Sequence, residues 1–246
     1  MNESSVRKII ELNHLFYQSF AEHFSDTRQR LQPGLIKIID NLPGSLNALD
    51  LGCGNGALAR GLLQAGFSGR YDGIDFSDEL LYIAGRSLED YKIHNANLIL
   101  NWFVADVSKP TWTCVIPDPP YEQVLAFAVL HHLPGEQLRI RVLQDVRKLL
   151  NQGGCFIHSN WQFLSSPRLR KRIQPWERIG LTADDVDPAD HLLDWRRGGH
   201  GLRYAHQFSE DELYSLAERS SFNVEDSFLS DGKNGRLGLY QIWRAI

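Results

Sequence analysis

The chain has 246 residues, of which 43% are hydrophobic and 23% are charged. This length and composition are typical of one well-buried globular domain and exclude a largely disordered chain. The formal net charge of −4 gives no general attraction to nucleic acid, so an RNA partner would have to be met by a local basic patch. No stretch reaches the roughly 18 apolar residues of a membrane span, so we expect no membrane partner.

The three cysteines, Cys53, Cys114 and Cys155, are odd in number, widely separated and in no metal-ligand spacing. We therefore expect free thiols in a reducing compartment and no bound metal. Residues 1–5 also lack the basic segment and apolar run that begin a secretory leader. These observations predict a cytoplasmic protein.

Two predicted helices open the chain and form an N-terminal helical segment over residues 1–42. The first spans residues 5–31 and carries phenylalanines at every fourth position, a helix stripe that is typical of core packing. The second covers residues 33–41 and is entered at a proline, which is favoured at the first helical position.

Apolar strands then alternate with helices as far as residue 160. This alternation predicts a parallel sheet with right-handed crossovers and helices on both faces. A ligand then lies beyond the C-terminal ends of the strands. We expect Gly153 and Gly154 to end the last of these helices as its C-terminal cap. The predicted strands are 47–51, 71–74, 97–104, 122–128 and 154–160, and the predicted helices are 57–65, 77–88 and 136–150.

The alternation breaks over residues 161–205, which are rich in Arg, Asp, Pro and Trp, and we expect an inserted cap over the site. Ser209 then begins a capping-box pattern that opens a helix. Residues 221–229 and 236–244 predict a hairpin. The predicted fold is a single Rossmann-like, doubly wound α/β domain. Its mostly parallel seven-stranded sheet carries a C-terminal antiparallel hairpin and the inserted cap.

Residues 49–56 read Leu-Asp-Leu-Gly-Cys-Gly-Asn-Gly, an apolar strand that leads into a glycine-rich turn. Glycine is needed where the backbone takes positive φ or closely approaches a ligand, and Gly52 and Gly54 are candidates for both. Asp75 ends the next apolar run about 20 residues later, where an acid can hold ribose hydroxyls. The pattern predicts a nucleotide-cofactor site. It leaves NAD open, because the dinucleotide motif tolerates Ala57 at its third glycine position.

The octet at residues 49–56 is similar to the first motif of class I S-adenosylmethionine-dependent methyltransferases. That resemblance implies S-adenosylmethionine as the cofactor, with the loop meeting its methionine end, and it implies that Asp50 organises the loop. Asp106 follows the end of the third strand and is then expected to accept from the adenine amino group, although an isolated aspartate there is more often a turn cap. The predicted cofactor-binding residues are Arg28, Asp50, Gly52, Cys53, Gly54, Asp75, Phe76, Asp106, Val107 and Ala126.

The tetrapeptide Asp118-Pro119-Pro120-Tyr121 matches the signature with which amino-group methyltransferases grip a base amine at the end of the fourth strand. Here it precedes the strand predicted at 122–128, so it falls at the opposite edge of the sheet from the cofactor. We interpret it as a proline-rich turn. Replacement of Asp118 by Ala should then leave turnover within a few-fold.

Two further segments resemble the tRNA wobble-uridine carboxymethyl methyltransferases, Ala-Glu-His-Phe-Ser-Asp-Thr-Arg at 21–28 and Arg-Tyr-Ala-His-Gln-Phe at 203–208. Ala205 departs from that family's second tyrosine, and residues 149–154 lack its usual Lys-Pro. The resemblance implies esterification of a carboxylate, which is already anionic and nucleophilic near pH 7 and needs no strong base. Cationic groups would hold the carboxylate oxygens. The candidate catalytic residues are Arg203, His206 and His132.

Residues 168–178 form a concentrated basic stretch, with Trp176 available to stack on an RNA base. A solvated cap helix explains these residues equally well. If RNA binds there, log affinity should fall as log salt concentration rises, and replacing Arg170, Lys171 and Arg172 by Ala should make that slope less steep.

Three interpretations therefore stay open. The chain could methylate a carboxylate on tRNA, or a small carboxylate, hydroxyl or amine metabolite. It could also be a non-catalytic cofactor-binding subunit of a partner methyltransferase. The family resemblance additionally implies that a small activating protein is a possible partner.

Overall fold

The structure is a computed structural model that describes residues 1–27, 30–94, 97–117 and 119–246, without the side chains of 21–29 and 92–96. The helices are α1 Glu3–Thr27, α2 Pro33–Ile39, α3 Ala57–Gln64, α4 Asp78–His94, α5 Glu136–Leu149, α6 Pro167–Arg170 and α7 Glu210–Arg219. The strands are β1 Ser45–Leu51, β2 Ser68–Asp75, β3 Leu98–Val104, β4 Tyr121–Phe127, β5 Leu150–Trp161, β6 Ile173–Gln174, β7 Asp190–Trp195, β8 Gly201–His206, β9 Phe222–Ser230 and β10 Gly238–Ala245.

Seven strands form the main sheet in the order β3-β2-β1-β4-β5-β10-β9. Strands β1 to β5 pair in parallel, whereas β10 runs antiparallel to both β5 and β9. The predicted doubly wound α/β fold and its C-terminal antiparallel hairpin are therefore confirmed. The strand order reverses between β1 and β4, and such a switch point opens a crevice at the carboxyl ends of the strands.

The two central strands are apolar without interruption because helices cover both faces of the sheet. Leu49 and Val124 are fully buried on the face covered by α5 and α7. Ala48 and Leu125 are fully buried on the opposite face, against α2, α3 and α4. This double burial fixes the strand register, and with it the residues that end each strand.

The expected cap contains a second, three-stranded antiparallel sheet in the order β6-β7-β8. Helix α1 packs against β8. The phenylalanine stripe of α1 serves this contact, since Phe16 is 3% exposed and lies 5.6 Å from Trp195 of β7, measured between ring centroids. The stripe therefore joins the N-terminal segment to the cap and does not enter the main core. Phe24 lies outside the described side chains.

The glycine pair at 153–154 does not cap a helix, which corrects the sequence prediction. Helix α5 ends at Leu149, and Leu150 is already extended at the start of β5. Gly153 takes φ +75° inside β5, and its carbonyl accepts from Arg244 Nη1 at 2.7 Å. The glycines thus form an irregular start to a strand.

Tyr121, the last residue of the predicted proline-rich turn, lies at the amino edge of the sheet, because it begins β4. The Tyr121 hydroxyl donates to the fully buried Asp72 at 2.6 Å, and Arg70 pairs with the same carboxylate oxygen at 2.7 Å. This edge is opposite the switch-point crevice, as predicted. Asp118 lies outside the described residues. In the described part of the chain, no helix is long and apolar enough to cross a membrane.

Candidate functional site

A glycine loop follows β1 and forms the floor of the crevice. Gly52, Gly54 and Gly56 take φ of +66°, +54° and +72°, a left-handed backbone conformation that residues with a Cβ rarely adopt. A Cβ on Gly52 would lie 2.7 Å from Val129 Cγ2, whereas a Cβ on Gly54 would meet nothing within 4 Å. Gly52 therefore permits close packing, and Gly54 keeps the space above the loop open.

Asp75 at the end of β2 holds this loop in place. One of its carboxylate oxygens accepts from the Gly54 amide at 3.0 Å, and the other accepts from the Ser77 amide at 2.9 Å. Burial raises the pKa of Asp75, while these backbone hydrogen bonds lower it, and the net shift is upward. The carboxylate therefore organises the turn at the site where a ribose was expected.

Asp50 lies beneath the loop and is 3% exposed. Burial raises its pKa to about 7, while a hydrogen bond from the Tyr71 hydroxyl lowers it and the nearby Asp75 raises it further. Because this group gains its proton near neutrality, a positive charge placed close by would favour its ionised form.

A cavity of about 210 Å³ lies above the loop. Its described lining contains three carboxylates, Asp50, Asp75 and Asp106, and no lysine or arginine. The Asp106 pKa is lowered, because hydrogen bonds from His14 and Ser108 outweigh the opposing effect of partial burial. The cavity is therefore suited to a ligand that carries positive charge.

Helix α1 roofs this cavity with His14 and Tyr17. The His14 Nε2 lies 3.3 Å from Asp106 Oδ2, and its ring centroid lies 4.7 Å from that of Phe76. The Tyr17 hydroxyl lies 2.7 Å from His132 Nε2. The helix is thus bound to the loops that follow β2, β3 and β4.

His132 joins the roof to the cap. Its Nδ1 lies 3.0 Å from the Tyr204 carbonyl, which can only accept, so Nδ1 carries a hydrogen, while Nε2 pairs with the Tyr17 hydroxyl. Asn13 reinforces the junction, since its Oδ1 accepts from the Tyr204 amide at 2.8 Å and its Nδ2 donates to the His132 carbonyl at 3.3 Å. Both ring nitrogens of His132 are therefore engaged.

A second cavity of about 800 Å³ adjoins the first and extends under the cap. The two share Leu35, Phe127, Ala128 and His132 as lining residues. Ala128 takes φ +61°, an unusual conformation for a residue with a Cβ, and such strain is characteristic of functional sites. The seam between the cavities lies at the carboxyl end of β4.

The second cavity carries the opposite charge. Among the residues that the structure describes, two carboxylates line it, Asp194 and Asp231. Asp194 pairs with Arg196 at 2.6 Å, and Asp231 accepts from Tyr240 at 2.6 Å. Five cationic side chains outnumber them. The local charge therefore contrasts with the net charge of −4 on the whole chain. The cationic lining residues are Arg168, Arg172, Arg197, Arg203 and Lys233.

Arg203 is held rigidly in this cavity by aromatic rings. Its guanidinium carbon lies 4.6 Å from the ring centroid of Trp161 and 5.4 Å from those of Phe16 and Trp195. Only 9% of the residue is exposed. Cation–π contacts of this kind hold the guanidinium in place on the cavity wall.

A protein-family model described as a methyltransferase domain matches residues 49–156, from the glycine loop to β5. This match agrees with the strand order and with the carboxylate-lined cavity at the switch point. The chain is a class I S-adenosylmethionine-dependent methyltransferase.

Related proteins and structures agree with this class. The methyltransferase is 26% identical over 234 residues to the tRNA (carboxymethyluridine(34)-5-O)-methyltransferase of Schizosaccharomyces pombe, covering 87% of this chain and 90% of that one. It is 28% identical to a protein of the same name from Arabidopsis thaliana, over 64% of this chain but 35% of the longer relative. A solved S-adenosylmethionine-dependent methyltransferase from Methanosarcina mazei shares the fold, with 20% identity, a TM-score of 0.65, and coverage of 88% of this chain and 98% of that one.

The cofactor of this methyltransferase is S-adenosylmethionine, and the cavity above the glycine loop fits it. The three carboxylates complement the cofactor's positive sulfonium and ammonium groups. The open space over Gly54 accommodates a ligand that approaches the backbone closely.

Most of the predicted cofactor residues line this cavity of the methyltransferase. Ala126 is an exception that corrects the prediction, because it is fully buried in β4 and packs into the core beneath α5. Successive strand residues face opposite sides, and Phe127 and Ala128 reach the cavity instead. Arg28 lies outside the described residues. The predicted residues in the lining are Asp50, Gly52, Cys53, Gly54, Asp75, Phe76, Asp106 and Val107.

His206 lines neither cavity, which argues against its expected contact with substrate. It is 2% exposed, with Nδ1 2.6 Å from Asp190 and Nε2 3.0 Å from Glu212. Because carboxylates only accept, both ring nitrogens donate. These hydrogen bonds outweigh burial, which lowers the pKa of His206, and raise it overall. Arg203 and His132 do lie at the second cavity.

Sequence reasoning missed the contribution of α1 to the site of this methyltransferase. Asn13, His14 and Tyr17 line the cofactor cavity beside the phenylalanine stripe. The sequence signal for these residues was the polar face next to that stripe. His14 and Tyr17 are three positions apart, which places them on the same side of the helix. The aromatic rings around Arg203 were also missed, because they come from distant segments.

Proposed function

We propose that this methyltransferase esterifies a carboxylate on a modified wobble uridine of tRNA. The observation that carries the proposal is the division of charge between the adjoining cavities. Carboxylates line the cofactor side, and five cationic side chains line the other side of an acidic protein. A cationic methyl donor suits the carboxylate-lined cavity, and an anionic methyl acceptor suits the cation-lined cavity.

Sequence similarity supports the same substrate. The relative from Schizosaccharomyces pombe, whose name states methylation of carboxymethyluridine 34 of tRNA, aligns over nearly the whole of both chains. The 800 Å³ cavity is large enough for a nucleoside and is bordered by exposed cationic residues that suit RNA phosphates.

The side chains around the seam suit a reaction that needs no strong base. S-adenosylmethionine supplies an electrophilic methyl group when bound. A carboxylate is ionised near pH 7 and is itself the nucleophile, so the protein has to align it and exclude water. Arg203 is positioned to hold the carboxylate oxygens. His132 lines both cavities with both ring nitrogens engaged, which suits positioning better than proton transfer.

The alternative substrate is a small metabolite, which the acidic net charge favours. Incubation of the protein with methyl-labelled cofactor, total tRNA and a metabolite extract separates the two. We expect label in the tRNA fraction, released by mild base because a methyl ester hydrolyses readily. Label that is confined to small molecules, or that resists base on tRNA, would refute the proposal. Cofactor binding without label in either fraction would favour the non-catalytic subunit.

The structure divides the basic stretch of the cap into two groups. Arg168 and Arg172 line the second cavity with Lys233, whereas Arg170 and Lys171 are exposed and do not line it. Replacing the first three with Ala should reduce the slope of log affinity for tRNA against log salt by up to about 2, at roughly 0.7 per phosphate contact. The double replacement of Arg170 and Lys171 is the matched control and should leave the slope unchanged. Equal effects would contradict a substrate path through the cavity.

A small activating protein and a cytoplasmic location are further parts of the proposal. The free thiols of Cys53, Cys114 and Cys155 support a reducing compartment. Turnover by the purified chain alone, at the rate reached in cell extract, would show that no activating protein is needed.

A further inference from the structure

Four cationic side chains border the second cavity without a partner of opposite charge. In the described part of the chain none of them forms an ion pair, whereas Arg244, far from the cavity, pairs with Glu225 at 2.7 Å. Like charges gathered around one opening attract an anionic ligand to it. These rim cations are Arg168, Arg172, Arg197 and Lys233.

The turn that carries Lys233 is fixed to the wall of the cavity. Asp231 takes φ +68°, and its carboxylate accepts from the Gly34 amide at 2.9 Å and from the Tyr240 hydroxyl at 2.6 Å. The Asp231 carbonyl accepts from the Leu237 amide at 3.1 Å and closes the loop between β9 and β10. Lys233 therefore projects from a fixed turn, although its ammonium group has no ion-pair partner among the described residues.

Hydrogen bonds between neighbouring segments set the order of the cations along the rim. Ser165, just before α6, donates from its hydroxyl to the Arg236 carbonyl at 3.0 Å, so α6 adjoins the β9–β10 loop. After α6, the Arg172 carbonyl accepts from the amide of Asp194, near the end of β7, at 2.9 Å. The α6 region thus lies between the β9–β10 loop and the β7–β8 loop. The cations of the two loops therefore stand at opposite ends of the rim, with the two arginines of the α6 region between them.

Aromatic side chains line the same cavity behind the rim cations. Trp161 and Trp195 flank Arg203, and Phe127 and Tyr240 contribute from the main sheet. These rings are buried or half-buried, whereas three of the four rim cations are exposed. A nucleotide within a single strand has the same division, since its base stacks on aromatic rings while its phosphates meet cations at the surface.

We propose that the rim cations form a phosphate track for a single RNA strand. One base turns out of the strand into the second cavity, while the phosphates on both sides of it stay on the track. This inference rests on the proposed function, since it takes the target to be a nucleotide within RNA. It adds that the enzyme holds the strand on both sides of its target, so a free nucleoside is a poor substrate.

The probe that tests the track is a single-stranded RNA of about seven nucleotides with carboxymethyluridine at its centre. Its Kd is measured by fluorescence anisotropy at several salt concentrations. Lys233→Ala and Arg197→Ala should each reduce the slope of log affinity against log salt by roughly 0.7, which corresponds to one phosphate contact. Arg236→Ala is the matched control and should leave the slope unchanged, because Arg236 lies in the same loop as Lys233 but does not line the cavity.

Replacement of single phosphates by uncharged methylphosphonates identifies the linkage that each cation contacts. The linkage held by Lys233 should weaken binding to the unmodified protein when it is replaced, but not binding to Lys233→Ala. The same holds for Arg197 and its own linkage. Because the two residues stand at opposite ends of the rim, their linkages should lie on opposite sides of the modified uridine. Linkages on the same side, or no linkage that loses its effect in either variant, would overturn the track.

Turnover with methyl-labelled cofactor distinguishes a failure of the track from a failure of the proposed function. We expect kcat/KM for the oligonucleotide to exceed that for free carboxymethyluridine nucleoside by at least about tenfold. Lys233→Ala should lower kcat/KM for the oligonucleotide and leave that for the nucleoside unchanged. Equal kcat/KM for the two substrates would refute the track and leave carboxylate methylation in place. Absence of base-labile label from the oligonucleotide, the nucleoside and tRNA alike would refute both.

Discussion

Replacement of Gly54 by Ala tests how closely the cofactor approaches the glycine loop. Gly54 takes φ +54°, and an added Cβ would meet no protein atom within 4 Å. The substitution therefore costs only the left-handed conformation, about 1–2 kcal/mol of folding stability. Its Cβ would project into the space that the cofactor fills, so binding should suffer more than folding does.

Two other glycines provide the comparison. Gly66 takes φ +88° in an exposed turn with open space around it, so Gly66→Ala carries a similar conformational cost away from the site. Gly52→Ala adds a clash, since its Cβ would lie 2.7 Å from Val129. Overpacking of that kind costs about 1–3 kcal/mol more, for a total loss of about 2–5 kcal/mol.

The assay combines urea unfolding with calorimetric titration of S-adenosylhomocysteine. Gly54→Ala and Gly66→Ala should lose similar stability, but only Gly54→Ala should bind more weakly, by at least about tenfold, or about 1.4 kcal/mol. Gly52→Ala should be the least stable of the three. If Gly54→Ala and Gly66→Ala bind equally well, the cofactor does not contact the loop and the reasoning fails.

Two buried groups and one turn supply further predictions. Burial raises the folded-state pKa of Asp50 to about 7, so thermal melts of the unmodified protein should lose stability as pH rises from about 4 through 7, and Asp50→Asn should lose less. Because the folded-state pKa of His206 is raised, this residue contributes to folding stability mainly at acid pH. His206→Gln should therefore destabilise the protein most below about pH 6 and less as pH rises. The affinity of this variant for S-adenosylhomocysteine should be unchanged. If a variant and the unmodified protein differ in stability by the same amount at every pH, the pKa shift assigned to that residue is wrong. Tyr121→Phe should lower the melting temperature through Asp72 while kcat stays within a few-fold, and a near-complete loss of kcat would restore a catalytic role to the turn.

The sequence predicted the parts of the site that depend on local backbone rules. The glycine loop could be predicted from the glycines at 52, 54 and 56, because the turn needs positive φ at these positions and glycine adopts it readily. Asp75 at the end of β2 and Asp106 shortly after β3 could be predicted because each apolar run is followed by an acid.

Residues that depend on tertiary packing could not be found in this way. Ala126 and Phe127 differ by one strand position, which decides whether a side chain faces the core or the cavity. The carboxylates on either side of His206, Asp190 and Glu212, come from β7 and α7, and no sequence spacing predicts that they meet.

A crystal structure of the protein with S-adenosylhomocysteine tests the central claim, that a carboxylate-lined cofactor cavity adjoins a cation-lined substrate cavity. We expect the product in the cavity lined by Asp50, Asp75 and Asp106, with its sulfur facing the seam at Ala128 and His132. Product bound in the cation-lined cavity, or sulfur pointing away from the seam, would contradict this division of the site.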